Sequence, residues 1–169
     1  MASFPELRLE ALLGRLARAE VDFVVIGGVA VAFQGHVRAT RDLDITYATD
    51  AENLARLGDV LVAAHARLRG VAEDVPFVPD GRTLARTRLL TLDTDDGGLD
   101  LLADPPGAPP YAAMHDHADR VDLDGVVVAV AALDDLLAMK RAAGRPQDLV
   151  DIDALQIARR RRGRRRRRQ

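Results

Sequence analysis

Residues 21–46, VDFVVIGGVAVAFQGHVRATRDLDIT, constrain the chain more than any other stretch. The apolar run Val21, Phe23, Val24, Val25 and Ile26 stops at Gly27-Gly28, the pattern of a buried strand running into a tight turn. A helix is expected to start at that turn. Glycines there let backbone N–H groups approach a ligand, and a helix N-terminus offers unpaired donors and a positive dipole end to a phosphate. After the apolar stretch from Val29 to Phe33, a polar loop with Gly35, His36, Arg38 and Thr40 leads into Asp42-Leu43-Asp44-Ile45, read as a second strand. Side chains alternate across a strand, so Asp42 and Asp44 share one face and Leu43 and Ile45 face the core. Two carboxylates on one face repel each other unless a cation compensates them. Mg²⁺ suits such a pair, because it takes oxygen ligands and is commonly held by one or two carboxylates together with substrate phosphates. A solvated strand edge with two exposed aspartates is the competing reading, and a lone Asp-x-Asp does not decide between them.

A third carboxylate comes later. Arg88 to Asp93 is a strand candidate, Asp95-Asp96-Gly97-Gly98 is a hairpin turn, and Leu99-Asp100-Leu101-Leu102 places one carboxylate among leucines. In an antiparallel neighbour of the Asp42 strand, Asp100 would face the first pair if the registers align. Turn chemistry accounts for Asp93, Asp95 and Asp96. Leu133 to Ala143 reads as a helix with Asp134 and Asp135 in its first turn, broken by Gly144-Arg145-Pro146, and a last helix starts near Gln147. Asp148 and Asp151, three apart, share a face of it. Lys140 can serve either as a cationic helix C-cap or as a phosphate contact, and the two aspartates either as an N-terminal acidic cluster or as functional groups.

Gly27-Gly28, the short helix, Gly35-His36-x-Arg38-x-Thr40 and Asp42-Leu43-Asp44-Ile45 resemble the first motif block of the nucleotidyltransferase superfamily with the DNA polymerase β-like fold. The Leu-Asp100-Leu strand resembles its third carboxylate motif. Lys140 followed by Asp148-x-x-Asp151 is similar to the C-terminal motifs of the small AbiEii-like branch, which includes toxins of type IV toxin–antitoxin pairs. The resemblance implies an α/β (α+β) fold with a mixed β-sheet and flanking helices, and an enzyme moving a nucleoside monophosphate from an NTP to RNA or protein. It implies two Mg²⁺ ions on Asp42, Asp44 and Asp100, with Lys140 as a further catalytic group. Gly27, Gly28, Arg38, Thr40 and Lys140 would bind the nucleotide, Arg145, Asp148 and Asp151 would act behind them or on the acceptor, and an antitoxin protein would be a partner. Gly28 departs from the pattern, since many relatives have a Ser there that touches the phosphates. The larger helical C-terminal half of many AbiEii-like toxins is also missing. A nucleotide- or RNA-binding module of the same fold without turnover is therefore the competing class.

The chain's 169 residues suit one ordinary domain with its own core. Residues 159–169 carry nine arginines, whereas residues 1–158 carry 15 basic and 26 acidic side chains, a net of −11. The expected division is a catalytic domain over 1–158 and a disordered tail over 159–169, with Arg159 to Arg168 available to the phosphates of RNA such as tRNA. Cysteine is absent, which excludes disulfides and thiolate metal sites. Neither a membrane span nor a signal peptide is recognisable, so a bacterial cytoplasm is expected. The other expected elements are a helix capped by Ser3 with Pro5 in its first turn, and a helix from Ala51 to about Ala66 with Leu54, Leu57, Leu61 and Val62 inward. A loop over 70–81 and a hairpin, Val121 to Leu123 with Val126 to Val130 around Asp124-Gly125, complete the set. The four histidines read as surface residues.

Overall fold

A computed structural model describes residues 6–71 and 75–166. Seven strands form one mixed sheet in the order β3-β4-β5-β2-β1-β7-β6, with helices packed against it. Strand β1 (Phe23–Ile26) is wholly buried, as its apolar run requires, and lies antiparallel to β2 (Asp42–Tyr47) and parallel to β7 (Val126–Val130). On β2, Leu43, Ile45 and Tyr47 are buried while Asp42 and Asp44 are only partly covered, so the two-residue alternation holds. Beyond β2 comes β5 (Gly97–Leu102), which is antiparallel to β4 (Leu89–Thr94). β3 (Arg67–Leu68) closes this edge, and β6 (Asp119–Leu123) closes the other.

The β2–β5 pair is parallel, not antiparallel as expected. Between them the chain passes through α3 (Ala51–Ala63), β3 and β4, and the β4–β5 hairpin turns β5 back into the direction of β2. Asp100 still faces the same side as Asp44, because directly opposed residues share a face in either kind of pair. The β6–β7 hairpin turns on Asp124 and Gly125, both at positive φ (51° and 90°), the backbone of a primed two-residue turn whose twist matches the strands.

The helices supply the core's second layer. α1 (Leu9–Arg18) buries Leu12, Leu13 and Leu16; its N-cap is Arg8, and Ser3 and Pro5 lie outside the described residues. α2 (Gly27–Phe33) follows β1 directly. In α3, Asp50 caps the helix by accepting from the Asn53 N–H at 3.0 Å, and Leu54, Leu57, Val60 and Leu61 face inward. Val62, expected inward, is exposed because Val60 takes its place on the buried face. α4 (Gly81–Arg86), capped by Asp80, begins at the last residue of the segment expected as a loop. Its six residues are too few to show a period.

α5 (Tyr111–His117), α6 (Leu133–Ala143) and α7 (Pro146–Arg166) complete the chain, with Gly144 at φ 62° as the left-handed cap of α6. α7 runs eight residues into the stretch expected to be disordered from Arg159. Arginine is a good helix former, and extending a helix already anchored by Ile152 and Leu155 in the core needs no new nucleation. Among the described residues no helix is long and apolar enough to cross a membrane.

Candidate active site

The carboxylates converge through strand register. Ile26 is opposite Asp44 across β1–β2, and Asp44 is opposite Asp100 across β2–β5, so the end of β1 and two carboxylates lie in a row. Asp42 is opposite Gly98 in the same ladder. Two glycines make this possible. At Gly27 (φ 63°) a Cβ would run into the Asp44 carboxylate, and at Gly98 a Cβ would collide with the carboxylate of Asp42 and the guanidinium of Arg69.

These groups border a cavity of about 500 Å³, lined on one side by Gly27, Gly28, Asp42, Asp44 and Asp100 and on the other by Lys140, Arg145 and Asp148. Arg38, Thr40 and Arg41 line its rim. Burial, then the charge of Asp100, pushes the Asp44 carboxyl up to about 6, against a lowering hydrogen bond from the Gly28 backbone N–H. Asp100 is also raised, by burial, although the nearby Arg69 opposes this. The Asp100 Oδ1 is buried and has no hydrogen bond, its nearest cation being Arg69 Nη1 at 3.2 Å. Three oxygen-donor groups, two of them with raised carboxyls and one with a buried oxygen that makes no hydrogen bond, fit a hard divalent cation in donor chemistry. Among the described residues, however, no three His, Asp or Glu side chains are drawn together into a ready cage. Arg69 stands between two of the carboxylates, as its distances to Asp42 and Asp100, 3.2 Å each, record.

A second charge system faces the first across the cavity. Lys140 is 6% exposed, and its Nζ lies 2.8 Å from Asp148 and 2.9 Å from Asp151. Arg38 donates Nε and Nη2 to the two oxygens of Asp151 at 2.9 and 3.1 Å, a forked pair. Arg145 donates its backbone N–H and its Nε to Asp148 at 3.1 and 2.8 Å. Burial raises Asp148, but Arg145 and Lys140 outweigh it and hold the carboxyl down at about 2. Asp151 is likewise depressed, with burial overcome by Arg38, Lys140 and Gln147.

The site residues singled out in the sequence between Gly27 and Asp151 border or back this cavity, whereas among the described residues no arginine from Arg159 onward lines it, and several play parts other than those expected. Lys140 and Arg38 are engaged by aspartates. The Gly28 N–H turns to Asp44. A side chain at Gly28 would press on Arg38 and Thr40, each 3.0 Å from its Cβ, which accounts for Gly at this position. Thr40 donates to the Asp42 carbonyl at 3.1 Å and so fixes the loop before β2. Asp93 belongs to β4 and binds Arg69 at 3.0 Å, so its role is not turn chemistry. Asp96 is fully buried between Arg8 and Arg15. Arg69 and Arg41 were not singled out by sequence. Arg41 adjoins Asp42, which is a local signal, whereas Arg69 is 27 residues away from Asp42 and only the β3–β4 pairing brings it in. Among the histidines, His65 pairs with Asp95 and His117 with Asp135, as surface groups do.

The aminoglycoside-2''-adenylyltransferase family model matches residues 8–159. Solved structures with a similar fold include the antibiotic-resistance factor ANT(2'')-Ia in solution (14% identity, 89% of this chain and 80% of that one, TM-score 0.53). ANT(2'')-Ia in complex with adenylyl-2''-tobramycin is similar too (13% identity, 88% and 90%, TM-score 0.51). So is a Thermotoga maritima protein assigned as a nucleotidyltransferase (17% identity, 92% and 94%, TM-score 0.50). No curated protein matches by sequence.

Proposed function

The chain belongs to the aminoglycoside-2''-adenylyltransferase family, and from that premise we propose a Mg²⁺-dependent nucleotidyltransferase that moves a nucleoside monophosphate from an NTP to an acceptor hydroxyl. The observation that carries this reading is the row Ile26–Asp44–Asp100 at the cavity wall, which gathers carboxylates beside the turn at Gly27. Asp42, Asp44 and Asp100 would hold Mg²⁺, which supplies positive charge to the phosphates when bound. The acceptor oxygen attacks the α-phosphorus in line, the new P–O bond forms, and the bond to pyrophosphate breaks. Asp100, which lines the cavity, can accept the hydroxyl's proton. Arg41 and Arg145 line the cavity and are the more exposed cations, so they meet the triphosphate directly. Arg38 and Lys140 support that wall through Asp151 and Asp148. The rest of catalysis is positioning and charge neutralisation.

The family points to a small amine-bearing polyol as acceptor, and the body's net charge of −11 suits a cationic one. RNA reached through the arginines of α7, a protein, or a cellular target in a toxin–antitoxin setting are the alternative acceptors, all met in the cytoplasm. The test is transfer of label from each of the four α-labelled NTPs, with Mg²⁺, to an aminoglycoside panel, bulk RNA and cell protein. Label on one acceptor class, lost with Asp44→Asn, is expected. The second reading, a binding module without turnover, is favoured by the pairing of Lys140 and Arg38 with aspartates. NTP binding without pyrophosphate release in any mixture would establish it over the enzyme.

A further inference from the structure

Arg69 directly follows β3, and its backbone N–H donates to the Thr91 carbonyl at 2.9 Å. Its guanidinium is fixed from behind: Nε donates to Asp93 at 3.0 Å and Nη2 to the Leu92 carbonyl at 2.7 Å. In front it meets Asp42 Oδ1 and Asp100 Oδ1, each at 3.2 Å. Of the three site carboxylates only Asp44 lacks this contact. A second cavity of about 580 Å³, lined by Glu6, Arg41, Asp42, Arg69 and Asp93 among others, shares Thr40, Arg41 and Asp42 with the first, and Arg69 opens onto this second one. Gly98 leaves the room that this guanidinium and the Asp42 carboxylate fill.

We propose that Arg69 is a built-in cation that takes the place of one of two divalent ions, so that the carboxylate cluster accepts a single ion, on the Asp44 side. The proposal rests on the reading of Asp42, Asp44 and Asp100 as a cation site. A guanidinium stays charged at every working pH, and here it stands between two carboxylates as a fixed positive charge. Anchored by Asp93 and Leu92, it does not swing away for the cost of one contact. A second ion would need the oxygens of Asp42 and Asp100 that Arg69 already holds, and it would be repelled by the guanidinium at close range. Asp42, Asp44, Asp93 and Asp100 bring four negative charges against one from Arg69, an imbalance that one divalent ion nearly cancels and two would reverse.

The test is Mn²⁺ titration of the full chain with one equivalent of α,β-methylene-ATP, followed by electron paramagnetic resonance. Two ions in a shared site lie about 4 Å apart and broaden each other's spectra, whereas a lone ion gives an uncoupled spectrum. Expected are one uncoupled Mn²⁺ per chain in the wild type, the same in Arg69→Lys, and two coupled ions in Arg69→Gln. Two coupled ions in the wild type overturn the proposal, as does a single ion in a folded Arg69→Gln. If Arg69→Gln does not fold, Arg69→Met, which removes the charge and keeps the length of the stem, should likewise admit a second ion; a single ion there also overturns it. Failure of the underlying reading looks different: Mn²⁺ bound no better by the complex than by the free nucleotide, and unaffected by Asp44→Asn.

Discussion

Lys140→Met separates a structural lysine from a phosphate-binding one. Methionine keeps most of the stem's volume, so the change removes charge and hydrogen bonds with little cavity. Lys140 Nζ sits 2.8 Å from Asp148 and 2.9 Å from Asp151, and the residue is 6% exposed. Removing one partner of a buried pair costs about 3–5 kcal/mol, because the other charge is left uncompensated. Here Arg145 still serves Asp148 and Arg38 still serves Asp151, so the low end, about 3 kcal/mol, applies. For a domain of this size the unfolding entropy is roughly 0.35 kcal/mol/K, so the melting temperature should fall by about 8 °C. Calorimetry at neutral pH without nucleotide measures this, and NTP affinity measured well below the melting range should weaken by less than about tenfold, or ~1.4 kcal/mol. A variant that melts with the wild type but loses NTP binding by a hundredfold or more would refute the reasoning and return Lys140 to the phosphates.

Asp44 has the opposite sign. Its folded-state carboxyl, at about 6, lies above the ordinary 3.8, so stability present at low pH is lost as pH rises from about 4 to 6; the pH profile of ΔG without divalent ions should show this. Asp44→Asn should remove that loss and stabilise the metal-free protein at pH 7.5 by up to about 3 kcal/mol, while label transfer disappears. Asp148, held down at about 2, stabilises above pH 4 and ceases to do so as pH falls through 2, so Asp148→Asn should flatten the acid limb of the same profile. Gly27→Ala should displace the Asp44 carboxylate and abolish transfer, and full activity in that variant would contradict the close approach seen here. Deleting residues 159–169 should weaken RNA binding and flatten its salt dependence by about 0.7 for each lost phosphate contact, measured by filter binding across a salt series.

What could be read from the sequence were the features written in local spacing. The two-residue alternation in Asp42-Leu43-Asp44-Ile45 and the Asp124-Gly125 turn each follow from a few adjacent residues, and each has its expected form. The strand carrying Asp100 was legible as a strand, but its direction depends on how α3, β3 and the β4–β5 hairpin are threaded, which no local pattern encodes. Asp93 was misassigned for a similar reason: its partner Arg69 directly follows a two-residue strand too short to announce itself. Lys140 and Asp148-x-x-Asp151 were recognised as a set, and the sequence left open whether they serve a ligand or one another. Their mutual distances show that they bind one another.

The two charge systems that face each other across the cavity are built on opposite principles. On the α6–α7 side two carboxylates are matched by Lys140, Arg38 and Arg145, and both are held below the ordinary range, so the network contributes stability at neutral pH. On the strand side one guanidinium meets Asp42 and Asp100 but not Asp44, and the carboxyls of Asp44 and Asp100 are raised, so the network costs stability until further positive charge arrives. A cation that binds only the folded state is therefore coupled to stability through the strand side alone. Mg²⁺ should raise the melting temperature of the wild type and of Lys140→Met by similar amounts and leave that of Asp44→Asn nearly unchanged. Equal shifts in all three proteins would mean that the ion binds elsewhere and that the strain on Asp44 serves no cation.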